Sequence, residues 1–175
     1  MTILIGLNYS GMITNEIREI LQKVCSKLNQ NKVDYILVGG TAVGYHGYKR
    51  ISGATFHKPE LKTDLDFWYK PVTENFINLI RALKELGIDD KSLDSIVFDP
   101  QKTFLKIPHT VFHTDFLPIM AGLDSFDECK RNAIQEFVDN NPIWILSYND
   151  LIKNKLAVGR PIDKDDLSNL RHQEK

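Results

Sequence analysis

The sequence predicts an α+β fold, a mixed β-sheet backed by helices, and three observations carry that expectation. An apolar run at 33–38 (VDYILV) halts at Gly39-Gly40 and passes directly into a short helical stretch, giving strand, glycine turn, helix. Segments 14–30 and 73–86 carry apolar residues at helical spacing, so each has a stripe that must cover a sheet. Strand-like runs recur around 62–69, 95–117 and 143–146. With 175 residues, 42% hydrophobic and 26% charged, the chain suits one globular domain over 1–175, its core at about 33–170 and its N-terminal helix at 14–30.

Taken in order, the first helix has Thr14 as N-cap and Ile17, Ile20, Leu21, Val24 and Leu28 on one face. After the strand at 33–38 and the Gly39-Gly40 turn, residues 41–47 (TAVGYHG) read as a short helix. A polar connection over 49–62 leads to the strand KTDLDFWY at 62–69. Pro71 and an N-cap at Thr73 then open a helix through Phe76, Leu79, Ile80, Leu83 and Leu86, which Gly87 stops at C′. Strands are expected at 95–98, 102–107 and 110–117, with Pro108 as the break between the last two, and the three suit a meander. Residues 125–138 read as a helix and 143–146 as a short strand. Ser147 then caps a helix with Asp150 at its third position, and a final helix follows Pro161.

Twenty-two Lys and Arg against 23 Asp and Glu leave a net charge of −1, which excludes a global basic field for nonspecific nucleic-acid binding. Any polyanion site must be local, and Lys49, Arg50, Lys58, Lys62 and Lys70 give a basic bias around the 62–69 strand that suits a solvated loop as readily as phosphate steering. Cys25 and Cys129 lack CxxC spacing and read as inert thiols of a reducing compartment. No basic leader or apolar run of ~18 residues is present, so no membrane association is expected and the cytoplasm is the predicted location.

In the 62–69 strand, Asp64 and Asp66 share one parity and Leu65, Phe67 and Tyr69 the other, so both acids face the same way. Like-parity residues lie roughly 6.6 Å apart along a strand, within reach of one shared cation. Hard cations such as Mg²⁺ take oxygen ligands from one or two carboxylates plus substrate phosphates, although an ordinary solvated sheet face also accommodates such a pair. Asp115, inside VFHTDFL, is a third acid in an apolar strand. Gly39 and Gly40 allow close backbone approach to a ligand, the helix after them offers free N–H groups to a phosphate, and Thr41 adds a hydroxyl. Neither a Walker loop nor a GxGxxG turn is present. Lys155 shares a helical face with Leu151 and Val158 rather than with Lys153, so its amine is expected to be partly buried near negative charge or to snorkel over the core. Arg160 with Asp163 or Asp166 suits an ion pair that fixes the last helix. His46 and His113 can each face the site, without zinc-ligand spacing.

In this order, Gly39-Gly40-Thr41, Asp64-Leu-Asp66, Asp115 and the tail segment DLIKNKLAVGRPIDKDDL resemble the nucleotidyltransferase superfamily with its polymerase beta-like fold. The tail is similar to small bacterial minimal nucleotidyltransferases of the abortive-infection and toxin-antitoxin type. The resemblance covers roughly 33–170. Two departures stand out, an apparent insertion at 51–61 and Ile162 in place of a basic residue. The resemblance implies metal-dependent transfer of a nucleoside monophosphate from ATP or another NTP to an acceptor hydroxyl, with release of pyrophosphate. In its terms Asp64, Asp66 and Asp115 hold Mg²⁺ or Mn²⁺, and Asp115 also helps activate the acceptor. Gly39, Gly40, Thr41 and Arg160 bind the nucleotide, and Lys155 neutralises phosphate charge. The acceptor, whether small molecule, protein or RNA, stays open, as does a homodimer or a cognate protein partner. A second implication is a nucleotidyltransferase-like binding or regulatory member of a toxin-antitoxin or phage-defence pair with little or no catalysis.

Overall fold

The computed structural model describes residues 15–47, 64–108 and 113–171. Its elements run α1 (Asn15–Gln30), β1 (Tyr35–Val38), α2 (Gly39–Tyr45), β2 (Leu65–Tyr69), α3 (Thr73–Glu85), α4 (Asp90–Asp94), β3 (Leu105–Pro108) and β4 (His113–Leu117). They continue with α5 (Phe126–Asn132), β5 (Ile134–Val138), β6 (Asn141–Ile145), α6 (Tyr148–Val158) and α7 (Pro161–Arg171). The strands form one mixed sheet in the order β3-β4-β2-β1-β6-β5. β1 runs antiparallel to β2 and parallel to β6, and β2 runs parallel to β4. The outer hairpins β3–β4 and β5–β6 are antiparallel. This is the α+β class and mixed sheet that the sequence predicts.

The β2 strand shows how burial on both sides fixes the sheet. Leu65, Phe67 and Tyr69 are buried, with Phe67 stacked on Phe116 of β4 and Tyr69 against Phe76 of α3. The Tyr69 hydroxyl donates to the Thr103 carbonyl at 2.6 Å, so its polar end is satisfied inside the core. Trp68, on the opposite face, is also buried, lies edge-on to Phe126 of α5, and donates its indole N–H to the Pro118 carbonyl. The face that carries Asp66 is therefore covered at Trp68, while Asp66 itself is only partly buried.

Several boundaries follow the sequence. Gly87 stops α3 in the left-handed region (φ 88°), and Ser147 caps α6 by accepting from the Asp150 N–H. α7 begins at Pro161 after the left-handed Gly159. The α3 cap sits one residue earlier than expected, at Val72, and makes no side-chain hydrogen bond. α2 begins at Gly39 itself instead of at Thr41. Thr14, the connection over 49–62 with its 51–61 insertion, and the end of the tail lie wholly or largely outside the described residues.

Three expectations are overturned. Residues 95–98 form no strand: Asp89 accepts from the Ser92 N–H and hydroxyl and so starts the short helix α4, whose Leu93 enters the core. Val97 is left 89% exposed. The three-stranded meander is accordingly a two-stranded hairpin, β3–β4. The expected helix at 125–138 ends at Asn132, and Ile134–Val138 instead pairs with β6. The cause is the two-residue turn Asp139-Asn140, both left-handed (φ 46° and 68°), the geometry of a tight type I′ hairpin.

Candidate active site

The strand registers place Val38 beside Asp66, Asp66 beside Asp115 and Asp115 beside Lys106. These residues form one lateral row across β1, β2, β4 and β3. Neighbouring strands lie roughly 4.8 Å apart, so Asp66 and Asp115 stand side by side on one face, an adjacency that the sequence alone does not reveal. Asp64 sits just ahead of β2. Its carboxylate accepts from the His113 backbone N–H at 3.2 Å, and His113 Nδ1 lies 3.3 Å from the same oxygen. Lys106 Nζ lies 3.6 Å from Asp115 Oδ2, while Asp115 Oδ1 is buried and has no hydrogen-bond partner among the described residues. Burial pushes the Asp66 carboxyl up to about 6, with the charges of Asp115 and Asp64 adding to the shift and Lys155 and Arg160 opposing it. Asp115 is also raised, first by burial and then by Asp64, against the pull of Lys106 and His113.

The glycine turn is pressed onto this row. Gly39 has φ 63°, and a Cβ placed on it would lie 2.0 Å from Asp66 Oδ2. Only a residue without a side chain lets the β1–α2 backbone come this close to the acid. Thr41 is buried, and its hydroxyl donates over a long 3.5 Å to the Asp64 carbonyl, tying α2 to the start of β2.

Lys155 and Arg160 come together at the α6–α7 junction. Lys155 is 2% exposed and lies 2.9 Å from Asp163 Oδ1 and 3.0 Å from Asp166 Oδ2, both aspartates being fully buried. Arg160 grips Asp163 through its backbone N–H (3.1 Å), Nε (2.8 Å) and a terminal nitrogen (3.1 Å), yet its side chain stays 62% exposed. Burial works against a charged Asp163, but the bonds from Arg160 and Lys155 prevail and hold its carboxyl down to about 2. The expected buried amine near negative charge is observed, and so is the expected ion pair of Arg160. Both cations act on Asp66 through space.

The other singled-out residues separate clearly. His113 reaches the acids, whereas His46 is held by the Leu146 carbonyl at 2.8 Å and packs edge-on to Tyr148. Lys70 is paired with Asp127 at 2.8 Å, and Lys49, Arg50, Lys58 and Lys62 lie outside the described residues. Both cysteines are buried and free, and burial raises the Cys25 thiol to about 12 and the Cys129 thiol to about 11. Lys106 has no mark in the sequence, because its place depends on strand register. Alternation between Leu105 and Ile107 is the one local hint of which way it points.

An all-oxygen set of carboxylates suits a hard divalent cation, and the orphaned buried Asp115 Oδ1 is a donor in want of one. Among the described residues, however, no three His, Cys, Asp or Glu side chains are gathered closely enough to hold a metal ion. The reason is local: Asp64 bonds His113 and Asp115 leans to Lys106, so the acids are spread over protein partners.

A scan of protein-family models and a search of curated proteins return no match. Among solved structures, the chain is similar to the crystal structure of a "putative nucleotidyltransferase" from Thermotoga maritima, with a TM-score of 0.55 and 16% identity. The match covers 94% of this chain and 97% of that one. What is shared is the fold. Among the described residues no helix is long and apolar enough to cross a membrane.

Proposed function

We propose that the chain is a metal-dependent nucleotidyltransferase, moving a nucleoside monophosphate from an NTP to an acceptor hydroxyl and releasing pyrophosphate. The observation that carries this reading is the in-register pair Asp66 and Asp115 beneath the Gly39 turn, two carboxyls whose ionisation is resisted by burial and by the charge of Asp64, that of Asp66 also by Asp115. Such a pair is costly to keep charged without a cation, and it supplies the hard-oxygen donors that Mg²⁺ or Mn²⁺ takes. Asp66 and Asp115 would hold the ion with substrate phosphate oxygens completing its shell, and Asp64 would join as third donor only by leaving His113. A bound divalent cation supplies neutralisation of phosphate charge and a lowered pKa for the attacking hydroxyl.

The chain's own groups do the positioning. Gly39 and Gly40 let phosphate oxygens approach the backbone, and the exposed Arg160, clamped by Asp163, offers its outer N–H groups to an anion without first being ordered. Lys155 contributes at a distance, since its ammonium is occupied by two carboxylates. Isothermal titration with Mg²⁺ and each NTP tests the reading. Metal-dependent binding that disappears in Asp66→Asn is expected, and absence of binding in the unmodified chain refutes it.

One observation favours a second reading: Asp64 and Asp115 already have protein partners. That arrangement suits a nucleotidyltransferase-like regulatory member of a toxin-antitoxin or defence pair. Co-purification of a stable partner with no nucleotidyl transfer to it would select this alternative.

A further inference from the structure

Two of the described lysines act on the acids and are held very differently. Lys155 lies within 3.0 Å of each of two carboxylates and is buried, so its charge is fixed in place. Lys106 is 49% exposed and sits 3.6 Å from Asp115, beyond the 2.7–2.9 Å of a close charge-assisted bond. It also leaves Asp115 Oδ1 unbonded. An edge-strand lysine usually points to water and blocks strand addition. This one points along the lateral row onto an acid, from β3, an edge strand of the described sheet.

We propose that Lys106 is a substrate-contacting residue of the site. It stands in for a cation at Asp115 and, once a metal takes that carboxylate, its released ammonium binds an anionic group of the acceptor. The inference rests on the nucleotidyltransferase reading and adds the acceptor's chemical class: a hydroxyl compound bearing a phosphate or carboxylate close to the reacting oxygen. The geometry supports this because β3 is an edge strand of the described sheet and the half-exposed Lys106 stands beside Asp115 on the outer side of the row. The half-exposed side chain is free to turn toward it, and the weak pairing with Asp115 costs little to exchange. Lys155 cannot play this part, being enclosed by Asp163 and Asp166.

The test uses the full chain with Lys106→Met and Lys106→Arg, and Asp66→Asn as reference. Mn²⁺ alone is titrated calorimetrically, and inorganic phosphate is then titrated into protein saturated with Mg²⁺. Loss of the resident cation is expected to tighten Mn²⁺ binding by about three- to tenfold in Lys106→Met. Phosphate binding to that variant is expected to weaken by at least about fivefold and to recover in Lys106→Arg. Mn²⁺ affinity that stays equal or falls in Lys106→Met overturns the stand-in role, and unchanged phosphate affinity overturns the anion-binding role. A wild-type chain that binds no Mn²⁺ overturns the parent reading. Wild-type binding that is lost in Asp66→Asn but indifferent to Lys106 overturns this inference alone.

Discussion

The acid row and the α6–α7 junction both bury carboxylates, but they balance charge in opposite ways. At the junction, Asp163 and Asp166 meet Lys155 and Arg160, two negatives against two positives in close contact. In the row, Asp64, Asp66 and Asp115 have Lys106 at arm's length and a histidine. The first region is complete as it stands and holds the Asp163 carboxyl down to about 2, whereas the second leaves Asp66 raised to about 6. The contrast separates a charge-balanced cluster that holds two helices together from an acid row whose charge the described residues leave unbalanced.

The largest expected effect breaks the complete cluster. Lys155→Met strands two buried carboxylates with one half-exposed arginine and should cost about 3–5 kcal/mol, read as a shift in the urea midpoint. A loss below about 1 kcal/mol would remove the distinction between the two regions.

Next comes the row itself. Asp66 moves from 3.8 to about 6 on folding, so its contribution favours the folded state below the unfolded pKa and is lost as pH rises through about 6. In chelator at neutral pH, Asp66→Asn should therefore stabilise the chain by up to about 3 kcal/mol, and the gain should vanish near pH ~4. Asp163 has the reverse sign: its folded value lies near 2, so its stabilisation is present above 3.8 and lost as pH falls through about 2. Urea melts across this range should show the Asp66 contribution at the higher end and the Asp163 contribution at the lower.

A smaller effect sharpens the link between turn and acid. Gly39→Ala adds a left-handed penalty of about 1–2 kcal/mol to the clash with Asp66, and pairing it with Asp66→Ala should recover the clash but not the backbone part. Additivity in that double-mutant cycle would show that the contact is idle. The smallest effect is Arg160→Ala, about 1 kcal/mol or less, because the side chain is largely in solvent. Its influence should appear in nucleotide affinity, measured by the same titration.

What was legible in the sequence follows from range. Parity within β2 and the face shared by Lys155 and Leu151 are local periodicities, and the structure keeps them, although Val158, expected on that face, is exposed at the helix end. The Gly87 stop and the Ser147 cap are local too. Two misread segments were also local, but depended on competing signals: Asp89 capping a helix before the apolar 96–98 run, and a left-handed Asp-Asn pair after residues that also suit a helix. Not legible was register. The alignment of Asp66 with Asp115 and Lys106, and the partnership of Asp64 with His113, exist because separate strands pair at particular residues.

The parallel pairing of β2 with β4 has a consequence for how the chain is made. Parallel neighbours cannot be joined by a tight hairpin, so the chain passes through α3, α4 and β3 before returning to lie beside β2. Roughly fifty residues thus separate Asp66 from Asp115, a contact of the kind that forms late because its loop must close first. A nascent chain released before β4 would hold the glycine turn and the first two acids without the third. The acid row is assembled only at the closing of the sheet, so an incomplete molecule carries its parts without their alignment.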